Sequence, residues 1–262
     1  MRIEGSAAER QELLGLSFDP FTMDDVLERL RTVQASTPFR YVVTPNVDHI
    51  VRLDRLPPEG SRASEIRQAY QAAAVCVCDS RVLARLAVLA GVRLTVVPGS
   101  DLTAAIFEKV VERGDRIAVV GGDEATVPVL ARLYPFLSFV QHIPPMGLLN
   151  NEAAMAEAAS FAAASGARFT LLAIGSPQQE LLAQRIASLP EAGGCGLCIG
   201  AAVEFIAGQR KRAPVFLQKL SLEWSYRLIK EPRRLWRRYA VDGPNIIPML
   251  IRWRLRRAKP AR

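Results

Sequence analysis

Arg116-Ile-Ala-Val-Val-Gly-Gly-Asp-Glu-Ala-Thr-Val-Pro-Val-Leu-Ala-Arg-Leu133 decides the fold. It opens with an apolar, β-branched run at 116–120, breaks at Gly121-Gly-Asp-Glu124, and continues at 125–133 with apolar residues at helical spacing. A strand that ends on glycines and hands over to a helix is the repeating unit of a parallel sheet. The same rhythm runs outward in both directions. Strands are expected at 40–44, 75–77, 94–97, 138–140, 169–174 and 196–199, and helices at 22–34, 64–74, 80–90, 102–113, 152–165 and 179–188. A short apolar element at 13–18 precedes them, and Pro45-Asn-Val-Asp-His49 reads as a polar loop. Strands that are apolar throughout require cover on both faces. The expected class is therefore α/β, a mostly parallel sheet with helices on both sides.

Charge divides the chain. Residues 209–262 hold 16 of the 34 Lys and Arg but only 3 of the 26 acids, a net +13, while the other 208 residues carry 18 bases and 23 acids. The division suggests two units: 1–208 as a catalytic body and 209–262 as a basic, helical, Arg-rich appendage. Such a block points to a polyanionic partner, whether nucleic acid, an anionic bilayer face or a phosphorylated substrate. Within it Arg227, Arg234 and Arg237 stand seven and three residues apart, and they share one helical stripe if the helix continues past Pro232. Further on, Asn-Ile-Ile-Pro-Met-Leu-Ile-Arg-Trp-Arg-Leu (245–255) mixes bulky apolar groups with cations, as suits a segment lying in a lipid headgroup layer. The plainer reading packs its apolar residues on the core. Pro248 is expected to kink or break a helix there.

The N-terminal residues are polar and of mixed charge, so no secretory signal is expected, and no apolar run reaches 18 residues. Cys76 and Cys78, with Cys195 and Cys198, have a spacing that a zinc site could use, but both pairs lie in apolar strand-like runs. Free buried cysteines in a reducing cytoplasm are the better reading. His49 and His142 are the only histidines, too few for a His-rich metal site.

In a sheet of this kind ligands gather at the carboxyl ends of the strands. The loops there offer Thr44, Asn46, Asp48 and His49, then Asp79, Pro98-Gly-Ser-Asp-Leu102, Gly121-Gly-Asp-Glu124, Gly175-Ser-Pro-Gln-Gln-Glu180 and Gly200-Ala-Ala-Val-Glu204. Strand-end glycines that open helices let backbone N–H groups hold a phosphate, although such a glycine also serves as a plain turn residue. Asp101 reads as a helix cap. No G-x-G-x-x-G and no G-x-x-x-x-G-K-[ST] occurs, which disfavours dinucleotide and P-loop chemistry.

The motifs Thr-Pro-Asn-Val-Asp-His (44–49), Gly-Ser-Asp-Leu (99–102), Val-Gly-Gly (120–122), Gly-Ser-Pro-Gln-Gln-Glu (175–180), Lys-Arg-Ala-Pro (211–214) and Leu-Glu-Trp-x-Tyr-Arg-Leu-x-x-Glu-Pro-x-Arg-Leu-x-Arg-Arg-Tyr (222–239) occur in that order. In wording and order they resemble the WecG/TagA/CpsF glycosyltransferases, family 26, over about residues 12–245. The resemblance implies a Rossmann-like catalytic module and an inverting transfer of a sugar (N-acetylmannosamine, a uronic acid or a related hexose). The donor would be a UDP-sugar and the acceptor a saccharide on undecaprenyl diphosphate, in surface or exopolysaccharide synthesis. It also implies a peripheral enzyme at the inner face of the cell membrane, meeting the anionic lipid through the basic segment.

Inversion needs a base on the acceptor hydroxyl and stabilisation of the departing diphosphate. Asp79 is the expected base, although Ser80 replaces the glycine that relatives carry next to it, and Asp79 could instead cap the helix after it. No Asp-x-Asp pair exists, so no metal or other cofactor is expected, and Arg227, Arg234 and Arg237 match the family arginines that would meet the diphosphate. Their alternative is a solvated face or a headgroup contact. Thr44 and Asn46 are expected to contact the donor, or else to close a turn. Gln179 is expected to bond the sugar ring unless it lies at the surface, and Gly121 and Gly122 would let the nucleotide approach the backbone. Relatives often place an Arg where this chain has Val96; Arg93 is the nearby substitute.

Two other classes stand beside the transferase. A nucleic-acid binder would use the basic end, yet no docking motif or aromatic stacking surface accompanies it, so no nucleic-acid partner is expected. A Rossmann-type NAD or S-adenosylmethionine enzyme would bind those cofactors instead of UDP. The sequence assigns no oligomeric state, so a homo-oligomer stays open.

Overall fold

The computed structural model describes residues 9–56, 61–200, 202–208, 214, 217 and 223–257, with Ser61 and Arg234 described by their backbone alone. Six strands form one parallel sheet: β3 (Arg40–Val43), β4 (Val75–Cys76), β5 (Arg116–Gly121), β6 (Ser138–His142), β7 (Phe169–Ala173) and β8 (Cys195–Cys198). Their order across the sheet is β4-β3-β8-β7-β5-β6, and every pair is parallel. The chain is a Rossmann-like α/β protein, as its strand-then-helix rhythm predicts.

Side-chain alternation divides the core into two layers. Tyr41, Val43, Cys76, Val120, Leu172 and Cys198 point to one face, where α2 (Val47–Arg55), α3 (Ser61–Ala72), α7 (Glu152–Ala164) and α8 (Gln178–Ala187) cover them. Val42, Val75, Ile117, Val119, Leu171 and Leu197 point to the other. That face packs under α1 (Met23–Arg31), α5 (Gly99–Lys109), α6 (Thr126–Leu133) and the short α9 (Ala202–Ile206). Each buried aliphatic side chain contributes on the order of 1.5–3 kcal/mol, so two continuous layers suffice to hold the sheet. All four cysteines are buried as free thiols in or beside these strands, as read from their apolar runs.

The opposite, N-terminal end of the sheet is pinned by charge. Buried Arg168 donates to the carbonyls of Arg31 (3.0 Å) and Val33 (2.8 Å) and pairs with Asp115 at 2.7 Å. These bonds satisfy carbonyls at the end of α1 and leave the carboxyl end of the sheet free for a site.

Several expectations are corrected. The apolar element at 13–18 is part of a hairpin, β1 (Gln11–Leu13) and β2 (Leu16–Phe18), turned by Leu14 (φ 53°) and Gly15 (φ 81°). Two positive φ values make the turn follow the strand twist. The polar loop at 45–49 is largely the first turn of α2, because Asn46 caps it through Asp48 N–H at 3.0 Å. Residues 94–97 form no strand. They join the sheet edge only through the Cys78–Val96 bridge, with Val97 N–H donating to Cys78 O at 2.8 Å. Asp101 lies in the first turn of α5, whose cap position is Pro98.

The C-terminal segment is helical but interrupted. One helix spans Glu223–Lys230; a second, Pro232–Trp236, starts with Pro232 in its first turn, where the missing N–H is tolerated. A π-helical stretch, Arg237–Asp242, follows, then a 3-10 turn and the last helix, Ile246–Arg257. The single stripe running from Arg227 to Arg237 therefore does not exist. Pro248 does not break the last helix, since it is the third residue of its first turn and its nitrogen would be unpaired there anyway. Lys211 to Ala213 and the side chain of Arg234 lie outside the described residues.

Candidate active site

Asp79 follows β4, and Ser80 caps α4 (Arg81–Leu89) by accepting from Leu83 N–H at 3.1 Å. The capping alternative for Asp79 is thereby filled by its neighbour. The carboxylate turns instead to two other loops. Its Oδ1 accepts from Gly99 N–H, the first residue of α5, at 2.7 Å, and its Oδ2 accepts from Asn46 Nδ2 at 3.1 Å. Gly99 is required by space: a Cβ there would lie 2.8 Å from Thr44 Oγ1. Burial raises the Asp79 pKa above the ordinary carboxylate value, against the Gly99 N–H, the Asn46 amide and the charge of Arg227. A carboxylate held on the wall of a crevice in this way is placed to accept a proton from a bound hydroxyl.

A cavity of about 710 Å³ opens above these strand ends. Thr44, Asn46, Asp79, Gln179, Arg227 and Arg237 all line it. Among the described residues, five cations line it: Arg52, Arg227, Lys230, Arg237 and Arg238. Arg227 pairs with Glu223 at 2.6 Å and lies over the Phe205 ring at 5.5 Å, so its guanidinium is held from both sides. Arg238 approaches Asp48 at 3.5 Å, and Arg52 approaches the same carboxylate at 3.0 Å. Clustered guanidinium groups can hold an anionic group such as a diphosphate.

Gln179 is buried, which removes the surface alternative. Its Oε1 accepts from Gly200 N–H and its Nε2 donates to Glu180 Oε1, both at 2.9 Å. Glu180 is fully buried, and burial lifts its pKa above the usual value despite hydrogen bonds from Gln179, Ser176 and Tyr70. Thr44 is buried, with its hydroxyl 3.5 Å from Cys198 O.

Gly121 and Gly122 are not brought to this cavity. Gly121 ends β5 beside Ala173 of β7, and Gly122 follows it; neither is among the lining residues, although Gly175 and Ser176, just past β7, are. Their own surroundings account for them: φ values of 97° and 73°, and a Cβ on Gly121 that would fall 2.7 Å from Ile174 Cγ2. Arg93 is exposed and does not line the cavity either.

Sequence reasoning passed over several lining residues. Arg238 stands beside Arg237 in the C-terminal signature, and the i,i+4 pair Asp48–Arg52 is legible once α2 is seen to start at Val47. His49, which the sequence places in a strand-end loop, lines the cavity, and its Nδ1 has no partner among the described residues. Burial and the charges of Arg238 and Arg52 pull its pKa down to about 3, so it is neutral.

The family described as "Glycosyl transferase WecG/TagA/CpsF family" matches residues 11–260, nearly the entire chain.

Proposed function

The chain belongs to the WecG/TagA/CpsF glycosyltransferase family, which makes it a glycosyltransferase of cell-surface polysaccharide synthesis, and we propose that it moves a sugar from a UDP-sugar to a saccharide carried on polyprenyl diphosphate, with inversion. In this reading Asp79 takes the proton of the acceptor hydroxyl as that oxygen bonds to the anomeric carbon. The bond from that carbon to the diphosphate breaks, and its electron pair leaves with UDP. Arg227 and Arg237, with Arg234, balance the charge on the departing oxygens. Thr44 and Gln179 orient the donor, and Asn46 acts on Asp79 rather than on the sugar. The donor sugar is N-acetylmannosamine, a uronic acid or a related hexose. The reaction runs without a metal in this proposal because the chain has no Asp-x-Asp pair and cations already crowd the cavity.

The observation that carries the reading is the Asp79 carboxylate, fixed by Gly99 and Asn46 on the wall of a cavity that Arg227 and Arg237 also line. We further propose that 1–208 is the catalytic unit and 209–262 the appendage that completes it and meets the anionic inner face of the membrane. No helix among the described residues is long and apolar enough to cross a bilayer. The last helix instead exposes Ile247, Ile251 and Leu255, one stripe at i,i+4 spacing, beside Arg252 and Arg256.

A panel of UDP-sugars tests this. The true donor raises Tm, and transfer persists in chelator and falls about 10²- to 10⁴-fold in Asp79→Asn. No stabilisation by any UDP-sugar, or full activity in that variant, rejects the proposal.

A further inference from the structure

One buried acid stands behind the cavity wall and not in it. Glu180 is fully buried and does not line the cavity, whereas its neighbours Ser176 and Gln179 do. It belongs to the first turn of α8, whose Leu182, Ala183 and Ile186 enter the apolar core. Burying a carboxyl among such residues costs free energy unless its oxygens are engaged. For packing alone an apolar side chain of similar volume would serve as well.

The engagement of this carboxyl is directional. Gln179 Nε2 donates to Glu180 Oε1, and Gly200 N–H donates to Gln179 Oε1, both at 2.9 Å. Turning the amide over would set N–H against N–H at Gly200 and oxygen against oxygen at Glu180. Both partners therefore select one orientation. The main chain of Gln179 is held too: its N–H donates to Gly175 O at 3.0 Å, and Cys198 Sγ lies 3.5 Å from its O. The carboxyl also meets the hydroxyls of Tyr70 and Ser176, themselves 3.4 Å apart, and Ser176 O accepts from the cavity cation Arg52 at 3.4 Å. An amide nitrogen carries two N–H groups. Glu180 takes one, and the second finds no acceptor among the described residues.

We infer that Glu180 is a positioning residue of the transfer: it fixes the Gln179 amide from behind the wall and so reserves the second Nε2–H for an oxygen of the bound sugar. The inference rests on the proposed UDP-sugar donor. Glu180 needs only to offer an acceptor, which a carboxyl supplies with or without its proton. Burial favours the protonated form, and that form adds no negative charge behind a cavity that receives a diphosphate.

Three variants of the full chain test this. Glu180→Met keeps the length of the side chain and removes the acceptor, Glu180→Gln restores an acceptor, and Gln179→Met removes the amide itself. With the UDP-sugar that the wild type uses, Glu180→Met and Gln179→Met should each lower kcat/KM about tenfold. The double variant should be no worse than Gln179→Met alone, because Glu180 acts only through that amide. Glu180→Gln should return to within about threefold of wild type. UDP, which lacks the sugar, should bind Glu180→Met as it binds the wild type. Circular dichroism and Tm report folding, and Glu180→Leu carries the same expectation should Glu180→Met not fold. Hydrogen exchange of the Gln179 side-chain NH2, followed by NMR, needs no donor: it should be slow in wild type and Glu180→Gln and faster in Glu180→Met. Full transfer by folded Glu180→Met overturns the inference, as do losses that multiply in the double variant or free exchange of that NH2 in the wild type. A wild type with the protected amide that binds no UDP-sugar would reject the donor reading alone.

Discussion

Asn46 holds Asp79 and starts a helix with one side chain: its Nδ2 donates to Asp79 Oδ2 at 3.1 Å while its Oδ1 accepts from Asp48 N–H at 3.0 Å. Asn46→Ala removes both bonds. Loss of the cap costs about 1 kcal/mol, or a Tm lower by about 2–4 °C for a chain of this size. Removing a donor to the ionised carboxylate also pushes the already raised Asp79 pKa higher. A base must be deprotonated to act, so the acidic limb of the pH–rate profile should move to higher pH in the variant, as a profile of kcat/KM would reveal.

Gly99→Ala places a methyl 2.8 Å from Thr44 Oγ1 and 3.6 Å from its Cβ. Overpacking of this kind costs about 1–3 kcal/mol, and the shift that relieves it draws the Gly99 N–H away from Asp79. Activity should fall at least about tenfold at a temperature where the variant remains folded. Transfer assays beside thermal denaturation separate the two effects.

Arg227→Ala should weaken UDP binding and lower kcat/KM by about 10- to 100-fold, in line with hydrogen bonds to charged groups worth about 1.5–3 kcal/mol. Arg227→Lys should restore only part of this, because an ammonium group cannot reproduce the planar fork held between Glu223 and Phe205. Steady-state kinetics with titration of UDP would check both.

Glu180 predicts a pH effect on stability. Its pKa is raised in the folded state, so the folded protein binds more protons than the unfolded one, and stability falls as pH rises from the ordinary Glu value through the folded one. Glu180→Gln keeps an acceptor for Gln179 Nε2 and removes the titration. The difference in Tm between variant and wild type should therefore turn in favour of the variant as pH rises above the ordinary Glu value.

Arg252→Gln with Arg256→Gln should lower the affinity for vesicles containing anionic phospholipid. At about 1 kcal/mol per cation the pair amounts to roughly 30-fold at low salt, and added salt should shrink the difference. Sedimentation with vesicles measures it, with neutral phosphatidylcholine vesicles as the reference.

Most strands and helices were legible because their signals are local. Val119 and Val120 face opposite layers of core, which an unbroken apolar run already demands. Thr22 caps α1 and Ser80 caps α4 where polar residues precede helical periodicity. The candidate cavity was partly legible: Asp79, Thr44 and Gln179 come just after strands and line it, whereas Gly121 and Gly122 looked alike but do not line it. A glycine at a strand end marks a turn, and nothing in its neighbours says which strand stands beside which. The hairpin turn at Leu14 was missed because leucine rarely adopts positive φ.

The amino-acid order by itself determined the alternation of strand and helix, the two apolar faces of the sheet and the carboxylate at the end of β4. These depend on period, turn chemistry and charge counted along a few residues. Only the tertiary structure decided that Gly99 N–H, twenty residues on, would bind that carboxylate, and that Arg227 and Arg237 would meet over one cavity although Glu231-Pro232 breaks the helix between them. Such meetings depend on strand order and on the packing of distant segments, whose closure is driven by burial across the whole core and leaves no periodic trace in the chain.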